Sequence, residues 1–162
     1  MCCVLGYAGH DLSRERFTEL LLRTASRGPD DHRVLQTEFG WLGFGRLAIM
    51  GLTPAGMQPF QRGGDCVVCN GELYGFRPVR EKLMAEGWSL DAEFAMVLYD
   101  SRRKWLIAAR DPLGIRPLFY GYSDSGAIAF ASEAKNLVGL CKKIHPFPIG
   151  SYYCNGRFVR YC

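Results

Sequence analysis

The sequence predicts an α+β fold, a layered sandwich in which helices cover sheets of short antiparallel strands. Of the 162 residues, 48% are apolar and 22% are charged, a composition typical of one folded domain with a sizeable core. Many short strand-like runs are separated by turn signals, and two longer helical segments interrupt them. Hairpin connections imply antiparallel sheets, and the helices must then cover an outer sheet face.

The helices are predicted from apolar periodicity and from residues that begin or end helices. Apolar residues recur at helical spacing in segment 12–25, and Ser13 is the expected N-cap. A second helix is predicted over 79–85. A short third helix is predicted over 133–137, with Ser132 as its cap.

The remaining predicted elements are strands. Turn residues separate them, and Asn155-Gly156 is a typical two-residue hairpin signature. The predicted strands cover 34–37, 41–49, 66–69, 94–99, 105–110, 118–122, 127–131, 151–154 and 158–161.

Charge and apolar patterning argue against nucleic-acid and membrane partners. The formal net charge is +4, but the basic residues are scattered, and the one short cluster, 102–104, is typical of a solvated turn. No apolar run approaches the roughly 20 residues that a membrane helix needs. The first residues carry no secretory signal, so we expect a cytoplasmic protein.

Seven cysteines, an odd number without an export signal, are expected to be reduced thiols. Cys66 and Cys69 form a lone CxxC motif, and the three histidines supply no second ligand pair at zinc-site spacing. We therefore expect no metal site. A metal-binding redox module around these two thiols remains a weaker alternative.

Cys2 is the first residue that could carry chemistry. Removal of the initiator methionine would leave it with a free α-amine, and such amines have pKa values of about 7.7–8.0. The amine could then accept the proton of the thiol on the same residue, so that one residue supplies both nucleophile and base. The alternative is a cysteine at position two without a role.

Arg46 lies in a strand-like run in which strand alternation places it on one face with apolar residues such as Phe44 and Met50. A buried guanidinium is costly unless it meets an anion, and a carboxylate held bidentately would satisfy it. The alternatives are an internal ion pair or a face open to solvent.

Asn70-Gly71 supports two interpretations. Asn-Gly between two strand-like runs is typical of a hairpin turn. The same residues could instead direct a side-chain amide and a backbone N–H at a developing oxyanion, with Glu72 accepting hydrogen bonds from a substrate. The segment 110–117, in contrast, is expected to be a stiff structural turn in which Arg110 and Asp111 orient loops by charge pairing.

The order of these signals along nearly the whole chain resembles the class II glutamine amidotransferase domain of asparagine synthetase. The residues that carry the resemblance are Met1-Cys2, Arg27-Gly28-Pro29-Asp30, Gly43-Phe44-Gly45-Arg46, Gln58-Pro59, Asn70-Gly71-Glu72-Leu73-Tyr74, and the segments 94–100, 109–121, 130–133 and 148–152.

The resemblance implies a four-layer αββα sandwich, the N-terminal nucleophile hydrolase fold. It implies that Cys2 attacks the glutamine side-chain amide through a thioester, with Asn70 and Gly71 as the oxyanion hole. Arg46 would hold the substrate α-carboxylate, and Glu72 would help to fix the substrate. The remaining implied lining residues are Leu47, Ile49 and Met50.

The implied partners are glutamine and a synthetase domain or chain that receives the ammonia, and a homodimer is left open. Glutamine hydrolysis would need no cofactor, whereas ATP and magnesium would serve only the synthetase domain. On this comparison residues 1–162 form one amidotransferase domain, and the synthetase domain is absent from the sequence.

Two departures from the family pattern concern the site. The family usually has glycine after the nucleophile, where this chain has Cys3. A family segment whose aspartate binds the substrate amine is missing near 88–91, and Asp91 aligns with a different family position. These departures support an alternative function, a non-catalytic interaction module with an impaired glutamine site.

Overall fold

The computed structural model describes residues 1–49, 52–74 and 92–162 as two six-stranded antiparallel sheets, with one α-helix against the first sheet. The elements in chain order are β1 (Cys3–Tyr7), α1 (Arg14–Leu22), β2 (Asp31–Thr37), β3 (Gly40–Arg46), β4 (Phe60–Arg62), β5 (Asp65–Leu73), β6 (Ala92–Asp100), β7 (Trp105–Arg110), β8 (Phe119–Tyr122), β9 (Ile128–Ala131), β10 (Ile144–Pro146), β11 (Ser151–Cys154) and β12 (Arg157–Arg160).

The first sheet has the strand order β10-β8-β9-β1-β3-β2, and the second has the order β12-β11-β7-β6-β5-β4. Strand β1 is central, because it pairs with β3 on one edge and with β9 on the other. One apolar core, which includes Phe44, Val97 and Phe130, fills the space between the sheets. The α+β sandwich predicted from the sequence is therefore confirmed.

A second core lies between the first sheet and α1. The helix buries Phe17, Leu20 and Leu21, and the Ser13 side chain accepts a hydrogen bond from the Arg16 backbone N–H at 3.2 Å. The first predicted helix and its cap are confirmed, although α1 ends at Leu22. The described residues thus form one helical layer and two sheets of the expected sandwich. The predicted helix over 79–85, the junction 88–91 and Met50 lie outside the described residues.

The two Asn-Gly pairs have different structures. Asn155 and Gly156 both have positive φ, 44° and 87°, and join β11 to β12, so this hairpin prediction is confirmed. Asn70 and Gly71 instead continue β5, where they pair with Ala95 and Phe94 of β6. The hairpin interpretation of Asn70-Gly71 is wrong because an adjacent strand supplies continuous backbone partners.

Several element boundaries also differ from prediction. The third predicted helix is a 3₁₀ turn over Ala134–Asn136, and Ser132 does not cap it, because its hydroxyl accepts the Val4 N–H at 2.9 Å. Strand β3 ends at Arg46 rather than at residue 49. The strands β1, β4 and β10 were not predicted as strands from local pattern.

The segment 110–117 is held by hydrogen bonds to backbone groups, so the expectation that Arg110 and Asp111 orient neighbouring loops by charge pairing is wrong for the described residues. The buried Asp111 carboxylate accepts from the backbone N–H groups of Leu113, Ile115 and Arg116 at 3.1, 2.9 and 3.0 Å. The Arg110 guanidinium donates to the carbonyl oxygens of Gly114, Arg116 and Phe147. These bonds fix the direction in which Arg116 leaves the turn.

No helix among the described residues is long and apolar enough to cross a membrane.

Candidate active site

A cavity of about 240 Å³ lies where the chain before β1, the end of β3 and the middle of β5 meet. Its volume is below the roughly 300–1,000 Å³ of pockets for drug-sized ligands, so it suits a small ligand. The structure brings together seven of the eight site residues predicted from the sequence, all except Met50, which lies outside the described residues. These seven lining residues are Cys2, Arg46, Leu47, Ile49, Asn70, Gly71 and Glu72.

Cys2 immediately precedes the central strand β1, and contacts of its thiol and its carbonyl fix its position. Its Sγ accepts the Leu47 backbone N–H at 3.4 Å and lies 3.6 Å from the Leu47 carbonyl oxygen. Its own carbonyl accepts a hydrogen bond from Arg27 Nε at 2.8 Å. Arg27 is in turn paired with Glu133 at 3.4 Å. The thiol is thus held at the cavity by two neighbouring loops.

Met1 also lines the cavity. Its Sδ lies 2.9 Å from Arg116 Nη1 and 3.9 Å from Arg27 Nη2. The first residue therefore occupies space beside the Cys2 thiol and contacts two guanidinium groups.

Asn70 and Gly71 line the cavity from β5. The Asn70 side-chain nitrogen is buried and has no hydrogen-bond partner among the described residues. A buried donor left unpaired costs about 1–3 kcal/mol, so this amide is suited to a ligand that enters the cavity. A Cβ at Gly71 would lie 2.5 Å from the Glu93 carbonyl oxygen, so the close approach of β5 to β6 requires glycine here.

Gln58 fixes the backbone next to Asn70. Its side-chain nitrogen donates to the Cys69 carbonyl at 3.0 Å, and its side-chain oxygen accepts the Cys69 N–H at 2.6 Å. The nitrogen and the oxygen of the Gln58 side-chain amide are thus both bonded to the backbone of Cys69. The sequence analysis did not assign Gln58 this role, because nothing near it in the chain indicates that its partner lies 11 residues ahead.

Arg46 is buried at the end of β3, so the interpretation in which its face is open to solvent is wrong. Asp30 supports the turn that follows, because its N–H donates to the Arg46 carbonyl at 3.0 Å and its carboxylate accepts the Ala48 N–H at 2.7 Å. The guanidinium side chain lines the cavity together with Leu47 and Ile49. A planar guanidinium in this position is suited to bidentate binding of a carboxylate.

Sequence reasoning missed an ionic cluster formed by Arg116, Glu93 and Glu72. Arg116 Nη2 lies 3.2 Å from Glu72 Oε1 and also forms an ion pair with Glu93. Arg116 and Glu93 are buried, whereas the Glu72 side chain is 58% exposed. A signal for Glu93 was present in the sequence, since it occupies the same strand face as Ala95 and Val97.

Of the two other thiols near the site, that of Cys3 is buried and that of Cys69 is half-buried. Cys3 packs on the helix side of the first sheet, where a Cβ at Gly45 would lie 2.6 Å from its Sγ, so glycine at position 45 accommodates this departure from the family pattern. Burial raises the pKa of Cys3, and it raises the pKa of Cys69 to about 11, so both thiols stay protonated near neutral pH.

Cys66 and Cys69 are three positions apart on β5, so their side chains leave opposite faces of the strand. They are therefore poorly placed to bind one metal ion together. In the part of the chain that the structure describes, no three His, Cys, Asp or Glu residues are grouped as metal ligands.

Comparison with known proteins identifies the family. A family model described as a glutamine amidotransferase domain matches residues 1–93 and 88–158. The chain is 37% identical over 163 residues to a probable glutamine-hydrolyzing asparagine synthetase of Acanthamoeba polyphaga mimivirus, covering 83% of this chain and 30% of that protein. It is 33% identical over 164 residues to asparagine synthetase B of Escherichia coli K12, covering 86% of this chain and 29% of that protein. The chain thus spans about a third of the length of these relatives.

Two solved structures share the fold. The glutamine phosphoribosylpyrophosphate amidotransferase of B. subtilis, complexed with ADP and GMP, superposes with a TM-score of 0.79 at 16% identity. An enzyme described as the allosteric regulatory enzyme of purine biosynthesis superposes with a TM-score of 0.84 at 17% identity. Each match covers 99% of this chain and 49% of the other, which establishes the N-terminal nucleophile hydrolase sandwich. With the family match, this shows that the chain belongs to the class II glutamine amidotransferase domains, in the branch found in asparagine synthetases.

Proposed function

We propose that this chain hydrolyses glutamine to glutamate and ammonia, with Cys2 as the nucleophile. The observation that carries the proposal is the convergence of the Cys2 thiol, the unpaired amide of Asn70 and the guanidinium of Arg46 on one small cavity. These groups supply the three functions that hydrolysis of an amino-acid amide needs: a nucleophile, a donor for the oxyanion, and a cation for the carboxylate.

The reaction begins with a chain from which Met1 has been removed. The free α-amine of Cys2 takes the thiol proton, and the thiolate attacks the side-chain amide carbon of glutamine. The Asn70 side-chain amide and the Gly71 backbone N–H stabilise the resulting oxyanion. The C–N bond then breaks, the leaving nitrogen takes the proton from the amine, and ammonia departs. Water attacks the thioester, which releases glutamate and restores the thiol.

The cavity binds the rest of the substrate at the two ends of its zwitterion. Arg46 pairs with the α-carboxylate, and Glu72 faces the α-ammonium group. Leu47 and Ile49 border the two methylene groups that lead from the α-carbon to the side-chain amide. None of these steps requires a metal or an organic cofactor.

The names of the relatives suggest the destination of the ammonia. Because the E. coli and mimivirus relatives are described as glutamine-hydrolyzing asparagine synthetases, we infer that the ammonia passes to a synthetase domain or chain that uses ATP and magnesium to make asparagine. We place this activity in the cytoplasm, where reduced thiols are expected.

Replacement of the nucleophile tests the proposal. We expect Cys2→Ala to abolish ammonia release from glutamine, because Cys69, the other thiol that lines the cavity, has no α-amine of its own and burial raises its pKa to about 11. The matched control is Cys154→Ala in β11, which is expected to retain the activity. Intact mass would establish removal of Met1 in both proteins, and an assay of glutamate and ammonia would give the rates. Full activity of Cys2→Ala would contradict the mechanism.

The interaction-module alternative is not favoured. A degraded site would not be expected to keep a buried, unpaired amide in the same cavity as the thiol, since removing that amide would relieve a desolvation cost of about 1–3 kcal/mol.

A further inference from the structure

The ionic cluster at one end of the cavity has an uneven charge. Arg116 lies between two carboxylates, with Nη2 3.2 Å from Glu72 Oε1 and in an ion pair with Glu93. Two carboxylates and one guanidinium give a formal charge of −1. The side chains of Arg116 and Glu93 are 9% and 11% exposed, whereas that of Glu72 is 58% exposed. The unbalanced negative charge therefore lies on the exposed member of the cluster, Glu72, which lines the cavity.

Glu93 is an unusual residue for its position. It lies on the buried face of β6, in line with Ala95, Val97 and Tyr99. A buried carboxylate is costly to desolvate, and this cost is offset only when a cation is close. Arg116 is that cation, and the bonds of the 110–117 turn direct it toward Glu93.

We propose that Glu93 is a positioning residue for substrate binding: by neutralising Arg116, it leaves the charge of the Glu72 carboxylate available to the α-ammonium group of glutamine. Without Glu93, Arg116 would pair with Glu72 alone, and the charges of these two groups would cancel. Arg46 supplies the opposite charge elsewhere in the same cavity. The two opposite charges then match the ammonium and carboxylate groups on the α-carbon of an amino acid. The proposal rests on the proposed glutamine hydrolysis.

Substrate selectivity separates this role from a structural one. The test compares glutamine with 4-carbamoylbutanoate, which is glutamine without its α-amino group. For Glu93→Gln, which keeps the shape of the side chain but removes its charge, we expect the KM for glutamine to rise about tenfold, the factor that corresponds to one weakened charged hydrogen bond. We expect kcat to change less than about twofold. The kcat/KM for 4-carbamoylbutanoate should stay unchanged.

Two further variants complete the test. Glu93→Gln combined with Arg116→Gln restores the formal charge of −1 and is expected to bring the KM for glutamine back toward that of the unchanged chain. Glu72→Gln, at an exposed side chain, is expected to show the same selective loss as Glu93→Gln even if the buried substitution prevents folding.

Equal losses for both substrates, or no loss for either, would overturn the proposal, as would a double variant no better than Glu93→Gln. These outcomes leave the Cys2 mechanism intact if Cys2→Ala is inactive. An active Cys2→Ala would instead overturn the proposed function itself.

Discussion

Asn70 is the residue whose surroundings most directly indicate a bound ligand, because its side-chain nitrogen is buried and has no partner among the described residues. We expect Asn70→Ala to lower kcat for glutamine by about 10²–10³, the usual effect of removing one donor from an oxyanion hole. The KM should change much less, because the oxyanion exists only after attack on the amide. Steady-state assays of ammonia release would measure both constants.

The control for this substitution is Asn155→Gly, in the turn between β11 and β12. Asn155 has a φ of 44°, which glycine adopts readily, and the residue is remote from the cavity lining. Its kinetic constants should match those of the unchanged chain. An Asn70→Ala protein with unchanged kcat would exclude the oxyanion role.

Some of the site residues could be recognised from the sequence around them, whereas others could be recognised only in the folded structure. Cys2, Arg46 and Asn70 could be proposed from the sequence because a position or a short motif distinguishes each of them. Arg116 could not, because its partner Glu72 is 44 residues away and its own segment is typical of a structural turn. Only the folded structure shows that the Arg116 side chain, which leaves this turn, lines the cavity.

At the scale of elements, Gln58 joins the segment before β4 to the middle of β5. We expect Gln58→Ala to lower the free energy of unfolding by about 1–3 kcal/mol, since the Cys69 N–H and carbonyl both lose their side-chain partner. It should also lower kcat, because the backbone that carries Asn70 is no longer fixed. Urea unfolding and the ammonia assay would measure the two effects.

Gln61→Ala is the matched control, because Gln61 is exposed on β4. Its effect on the free energy of unfolding should stay within about 0.5 kcal/mol. If the two glutamine variants were equally stable and equally active, the Gln58 contacts would have no functional importance.

Local sequence pattern was sufficient to predict some secondary-structure elements but not others. The helix α1 was predictable because its cap and its apolar spacing are contained in about ten residues of sequence. The continuation of β5 through Asn70 and Gly71 was not predictable. These two residues are typical of a turn, but they pair with the neighbouring strand β6 and therefore lie in a strand. The strands β4 and β10 have three residues each, too few for any periodicity to be recognised.

At the scale of the whole molecule, buried thiols make stability depend on pH on the alkaline side. Burial raises the pKa of Cys69 and of Cys141 to about 11, whereas a thiol in an unfolded chain titrates near 8.5. The unfolded state therefore loses protons first as the pH rises. The stabilisation is complete below about pH 8.5 and is lost progressively up to about pH 11, by up to about 1.4 kcal/mol per pH unit for each thiol.

Urea unfolding at pH 8 and at pH 10.5, in a reducing buffer, would measure this loss. Cys141→Ala should make the difference between the two pH values smaller, because one of the two titrating thiols is removed. A free energy of unfolding that is the same at both pH values would contradict the prediction.

For the whole molecule, composition and turn spacing were sufficient to predict an α+β sandwich, but not the order of strands within each sheet. That order depends on pairings between distant segments, such as β1 with β9 and β6 with β7, which no local pattern encodes. The family resemblance supplied the layer order that local reasoning could not.

The placement of the amino end has a practical consequence for anyone who produces this protein. Because β1 is bonded along both edges, the residue before it is anchored, and Met1 already borders the cavity. Under the proposed mechanism, a purification tag fused ahead of residue 1 would be tethered beside the cavity and would prevent the aminopeptidase from exposing the Cys2 amine.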